Sequence, residues 1–232
     1  MRSDTGAGDT WDRYTPLAGF VFVLAFIVSA VLYFSGGTIA HDNPSSVQSF
    51  VLAHRHTLEA SWWVLLIGQL ASLVYIISLV SMFHRRTGAW GAGTLLLLAA
   101  GAAGIAIDLA ADGLVFTALF AADKVPAGVT YSLYEAGNAA VSDMGAVGVG
   151  LALLVSGCLI LGTHVMRPWI GWVGIVGGVL FALPSNLGSG ALGIIGLVGG
   201  ILALVFVLAT SISMLTGNVR AVPSRIPAAA SS

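Results

Sequence analysis

The chain has 232 residues, 57% of them hydrophobic and only 8% charged, with a mean hydropathy of +0.97. A soluble domain of this size could not cover that much apolar surface with polar groups, so the composition places the chain in lipid. A net charge of −1 gives no reason to expect a nucleic-acid partner, and the single cysteine, Cys158, rules out an internal disulfide or a cysteine-based metal site.

Six apolar stretches follow in chain order, from about Pro16 to Tyr33, Ala60 to Phe83, Gly91 to Phe120, Ala139 to Gly162, Trp169 to Leu183 and Ala191 to Leu215. A helix needs roughly 20 apolar residues to cross the hydrocarbon core, which all but the fifth approach or exceed. The expected fold is therefore an all-α, polytopic bundle of six transmembrane helices over residues 16–217. A cytoplasmic segment precedes it at 1–15, and a disordered cytoplasmic tail follows at 218–232. With six spans both termini share a side. That side carries Arg2, Arg13, Arg85, Arg86, Arg167, Arg220 and Arg225, against Arg55 and Lys124 on the other. The bias predicts cytoplasmic termini. The acidic, glycine-containing start and the long first span read as a retained anchor, with no cleavable signal peptide. Eight arginines against one lysine, with heavy Ala and Gly use, point to a high-GC bacterial genome and a bacterial cytoplasmic membrane.

Between the first two spans, Pro44 can open a helix in which Val47, Phe50, Val51 and His54 recur at i, i+3, i+4 and i+7. This predicts an amphipathic interfacial helix on the outer surface, either a lid or a simple turn of the chain.

The polar residues inside the spans gather toward the outer leaflet. Glu59 lies at the mouth of the second span and Gln69 roughly 10 Å below it at 1.5 Å of rise per residue. Asp108 on the third span falls at a depth similar to Gln69, and Asp112 lies one turn nearer the surface on the same face. Tyr134, Glu135 and Asn138 stand at the entrance of the fourth span, with Asp143 just inside. A carboxylate in the bilayer centre costs about 2.5–3.5 kcal/mol on insertion scales. No intramembrane Lys or Arg neutralises Asp108 or Asp112, so the pair must share protons, bind a cation or face water.

Two classes of function follow, with a third less favoured. The leading expectation is a protein that binds or handles a small lipophilic molecule in an outward-facing polar pocket between spans two, three and four. Gln69, Trp62, Trp63, Phe116, Tyr134, Glu135 and Glu59 are its candidate ligand-binding residues. The alternative is a membrane-embedded enzyme doing isomerase- or cyclase-like acid/base chemistry. In that reading Asp108 donates the proton, Asp112 is its partner, and Asp143 and Asn138 position the reactant. A proton- or cation-coupled carrier is the remaining alternative, less favoured because no span is broken by proline. A metal site would have to be built from His54 and His56 together with His41, Glu59 or an aspartate. An HxH pair in a loop without a third ligand at fixed spacing is more often exposed to solvent, so no metal is expected. No GxGxxG or GxxxxGK[ST] segment marks a nucleotide cofactor. His84 and His164 stand at cytoplasmic helix ends, where they can cap carbonyls. Glycine pairs such as Gly174/Gly178 and Gly196/Gly200, with rows at Gly101/Gly104 and Gly145/Gly148/Gly157, predict close helix packing within the chain, or a homodimer through one such face.

Two segments carry a resemblance. NPSSVQSFVLAHRHTLEASWW leads into a span and a short basic turn, and YSLYEAGNAA leads into a long span and MRPWIGWVGIVGGVL. The chain resembles, from about Leu17 to Leu215, a broad family of six-span bacterial membrane proteins grouped under a domain of unknown function. In similar proteins a basic turn and Pro-Trp segment open the fifth helix, matching Arg167, Pro168, Trp169, Gly171 and Trp172. The resemblance implies fold and membrane location only.

Overall fold

The computed structural model describes residues 14–37, 43–87, 91–183, 191–217 and 219. The expectations for His41, Asp42, the terminal arginines and most of the tail fall outside them. The described residues are all helical, with no strand. The helices are α1 (Leu17–Ser35), α2 (Pro44–Ala53), α3 (Arg55–Thr87), α4 (Ala92–Ala121), α5 (Ala127–Thr163), α6 (Pro168–Ala182) and α7 (Ala191–Leu215). Five of them, α1, α3, α4, α5 and α7, are long and apolar enough to cross a membrane; α6, at 15 residues, is a shorter apolar helix. The six apolar helices pack in the order α1–α3–α4–α5–α6–α7, and α7 returns to α1.

The prolines sit where helices begin. Pro16 precedes α1, Pro126 precedes α5 in an extended conformation, and Pro168 opens α6. At the other end of α5, His164 takes the left-handed conformation (φ 54°) and donates its backbone N–H to Ile160 O at 2.9 Å, closing the helix.

Two helices run past their apolar spans. α5 begins at Ala127 rather than near Ala139, and α3 begins at Arg55 rather than Ala60. Hydrophobicity marks where lipid begins, but a helix continues while its backbone bonds and one packed face persist. The extra turns project with α2 at one end of the bundle and carry their own core of Val47, Val51, Leu58, Leu119, Ala122 and Tyr134. A larger core, including Tyr75, Leu79, Phe83, Leu97, Ile160 and Phe206, fills the opposite half.

The helix expected from Pro44 is present as α2, with Asn43 Oδ1 accepting from Ser45 N at 3.0 Å as its N-cap. Its apolar face is not spread on a membrane surface, however. Val47 and Val51 are fully buried against the other helices, a contribution of about 1.5–3 kcal/mol each. Gln48 Nε2 donates to Ala122 O (2.6 Å) and Val125 O (3.0 Å), fastening α2 to the α4–α5 turn.

Glycine sets the closest helix contacts. Gly150 packs on the backbone of Gly178, and Gly157 on that of Gly171, so two glycines seven residues apart on α5 meet two on α6. Gly104 and Gly148 bring α4 and α5 together in the same way. Gly150 and Gly171 were absent from the rows legible in the sequence, whereas Gly196 lies partly exposed on α7.

Candidate functional site

Between the two cores lies the polar layer. Asp108 and Asp112, one turn apart on α4, line a common cavity of about 190 Å³ with Gln69 of α3. Gln69 Nε2 donates to Asp112 Oδ2, and both side chains are buried. The remaining walls are mostly apolar, among them Phe22, Phe26 and Leu65 from α1 and α3 and Phe206 from α7. Tyr75, whose hydroxyl hydrogen-bonds Thr210 Oγ1 at 2.7 Å, also lines the cavity. The expected convergence of Asp108, Asp112 and Gln69 is therefore present, with α1 and α7 as walls that the sequence did not reveal.

A second cavity, also of about 190 Å³, lies toward α2. Phe26, Leu65, Asp112 and Val141 line both cavities, so Asp112 stands at the boundary. Its polar groups come from opposing helices. Ser29 of α1 and Ser61 of α3 meet at 3.0 Å. Tyr33 of α1 hydrogen-bonds the fully buried Tyr134 of α5 through their hydroxyls. Asn138 lines this cavity and donates Nδ2 to Tyr134 O at 2.9 Å. Trp62 lines it too, stacks on Phe116 with ring centroids 3.9 Å apart, and donates Nε1 to Asp112 O at 3.1 Å.

The other candidates lie elsewhere. Trp63 is 54% exposed and meets Trp62 and Phe116 edge-on. Glu59 pairs with Arg55 at 2.9 Å, and Arg55 also approaches Asp123 and lies 5.2 Å from the Phe120 ring centroid. Glu59 and Glu135 line neither cavity. Asp143 also lines neither; its Oδ1 is buried without a hydrogen-bond partner among the described residues. His54 stacks on Phe50 and its Nδ1 lies 3.1 Å from Phe50 O, while His56 is almost fully exposed. Among the described residues no three His, Cys, Asp or Glu side chains gather as a metal requires.

One backbone feature marks the site. α5 contains a π turn at Ala140–Gly145 where it passes α4. Such turns recur at functional positions in helices. Beside it the Asn138 and Ser142 side chains bond back to Tyr134 O and Asn138 O, one turn earlier in each case. The turn ends at Gly145, on whose Cα the Asp108 carboxylate rests, so a methyl group there would overlap Oδ1. Asn138, Ser142 and Gly145 were legible in the sequence only as polar and small positions along this stretch. Ser29 and Tyr33, also four residues apart, were likewise legible as one polar face of the first span.

No family model, curated protein or solved structure matches this chain. The functional reading therefore rests on the chemistry of the two cavities.

Proposed function

We propose that the chain is a six-span integral membrane protein of the bacterial cytoplasmic membrane that binds a small lipophilic molecule between α1, α3, α4 and α5. In this reading the shorter α6 also spans, as the fifth of six. The exposed Trp169 and Trp172 beside Arg167 suit the membrane interface. The seven-to-two distribution of Lys and Arg supports cytoplasmic termini, with α2 outside.

The observation that carries the reading is that two acids and an amide line one apolar-walled chamber. Largely apolar pockets with a few placed polar groups are the usual form of small-molecule sites. Access from lipid also has a structural basis. Phe26 lines both cavities and a surface groove that α1 shares with Leu204 of α7. A molecule dissolved in the bilayer meets the chamber by displacing one aromatic ring.

Solvent extraction of protein purified in nanodiscs, followed by mass spectrometry, tests this. A small lipophilic compound near one per chain is expected from the parent and is lost from Asp112→Asn. Its absence from the parent, or equal recovery from both, contradicts the reading.

A second reading has specific support, because the same chamber touches two carboxylates and no Lys, Arg or His among the described residues lines it. A carboxylic acid held there can donate a proton to a bound molecule and recover it, which is the minimum an isomerase needs. Conversion of the extracted compound by the parent but not by Asp108→Asn supports the enzyme; no conversion by the parent removes it.

A further inference from the structure

Resting on the binding reading above, we infer that the chamber's ligand carries an ammonium group on a short apolar tail, held by Asp108, Asp112 and Gln69. The argument begins with which hydrogen-bonding valences remain open. Gln69 is 7% exposed, and its Nε2 is already engaged by Asp112. Its Oε1, an acceptor, has no partner among the described residues, and neither has Asp108 Oδ1. Both side chains line the same cavity, and the unpaired polar atoms they carry are acceptors, with Asp108 Oδ1 lying against the Cα of Gly145, another residue of the cavity wall.

A buried acceptor left unpaired loses its hydration without return, at about 1–3 kcal/mol for a neutral group and more for a charged one. An ammonium answers both requirements, because it has three donors and no acceptor and supplies the charge that an adjacent acid pair lacks. A carboxylate ligand would add a third acid to two. A bare metal ion fits less well, since hard cations take six or more oxygen ligands and this cavity is walled largely by Phe22, Phe26, Leu65, Phe181 and Phe206. The aromatic faces suit a cation on an apolar tail. At roughly 30 Å³ per water-sized group, 190 Å³ holds about six non-hydrogen atoms, the size of a five-carbon amine.

Calorimetric titration of the full chain in phosphatidylcholine nanodiscs with n-pentylammonium, n-pentanol and pentanoate, corrected against empty nanodiscs, tests the inference. The ammonium is expected to saturate roughly ten- to a hundredfold more tightly than the alcohol, the worth of a charge-assisted bond, with no saturable pentanoate binding. Asp108→Asn and Asp112→Asn should each reduce that preference, and a parent-like helical circular-dichroism spectrum and melting transition show that the variants fold. Equal affinity for ammonium and alcohol, a preference unchanged in both variants, or sodium ions saturating the site at the same affinity overturns the ammonium assignment and leaves the lipophilic pocket standing. Failure of all three compounds to bind overturns the pocket as well.

Discussion

The Trp62 indole of α3 donates its Nε1 proton to the main-chain carbonyl of Asp112 on α4, at 3.1 Å. The bond ties one wall of the second cavity to the helical turn that carries the acid. Trp62 also stacks on Phe116, one turn further along α4. Two interactions of different kind thus hold the same pair of helices in register beside the site. Trp62→Phe keeps the stack and removes the bond, so it should destabilise the protein by about 0.5–1.5 kcal/mol. Trp62→Ala removes both and should cost more. Denaturant unfolding in a fixed detergent measures this; two variants of equal stability would show that stacking contributes nothing.

Glycine substitutions separate close packing from incidental composition. A Cβ on Gly150 would lie 2.7 Å from the carbonyl oxygen of Gly178, where only backbone can yield, whereas a Cβ on Gly113 meets nothing within 4 Å. Gly150→Ala should therefore destabilise by about 1–3 kcal/mol through overpacking. Gly113→Ala should stabilise by about 0.5–1 kcal/mol through helix propensity. Melting temperatures of the two variants should move in opposite directions.

Much of this architecture was legible in the sequence. The apolar runs located the membrane helices, and the i, i+3, i+4 pattern after Pro44 located α2. The shared face of Asp108 and Asp112 follows from helical spacing alone. What the sequence did not disclose is which groups face one another across helices. Gln69 and Asp112 are 43 residues apart, Tyr33 and Tyr134 are 101 apart, and only the folded ring joins them. Polarity also misled where a local partner satisfied it, as Arg55 satisfies Glu59. The starts of α3 and α5 were missed because hydropathy records the lipid boundary, and those turns are stabilised by the protein core around Tyr134 instead.

The proposed entry from lipid would make Phe26, which lines both cavities and the surface groove, a rate-controlling side chain. A lipid-soluble carbodiimide, which reaches carboxyl groups only through the apolar phase, reports access to Asp108 and Asp112. Phe26→Ala should speed their labelling several-fold and Phe26→Trp should slow it, both read by peptide mass spectrometry. Identical rates in all three proteins would place the route elsewhere.

Topology is accessible through single cysteines in a Cys158→Ser background. Ser45 on α2 and Arg86 at the end of α3 are both exposed. Ser45→Cys should react with an impermeant maleimide in intact spheroplasts, and Arg86→Cys only after lysis. The reverse pattern would turn the bundle over and place the chamber in the cytoplasmic leaflet.

A high-resolution cryo-electron-microscopy map of the protein extracted directly into nanodiscs probes the chamber itself. The expected map shows the Asp108 and Asp112 carboxylates and the Gln69 amide turned toward one cavity, with non-protein density against them. Carboxylates turned outward to lipid headgroups, or a space closed by protein side chains, would contradict the account.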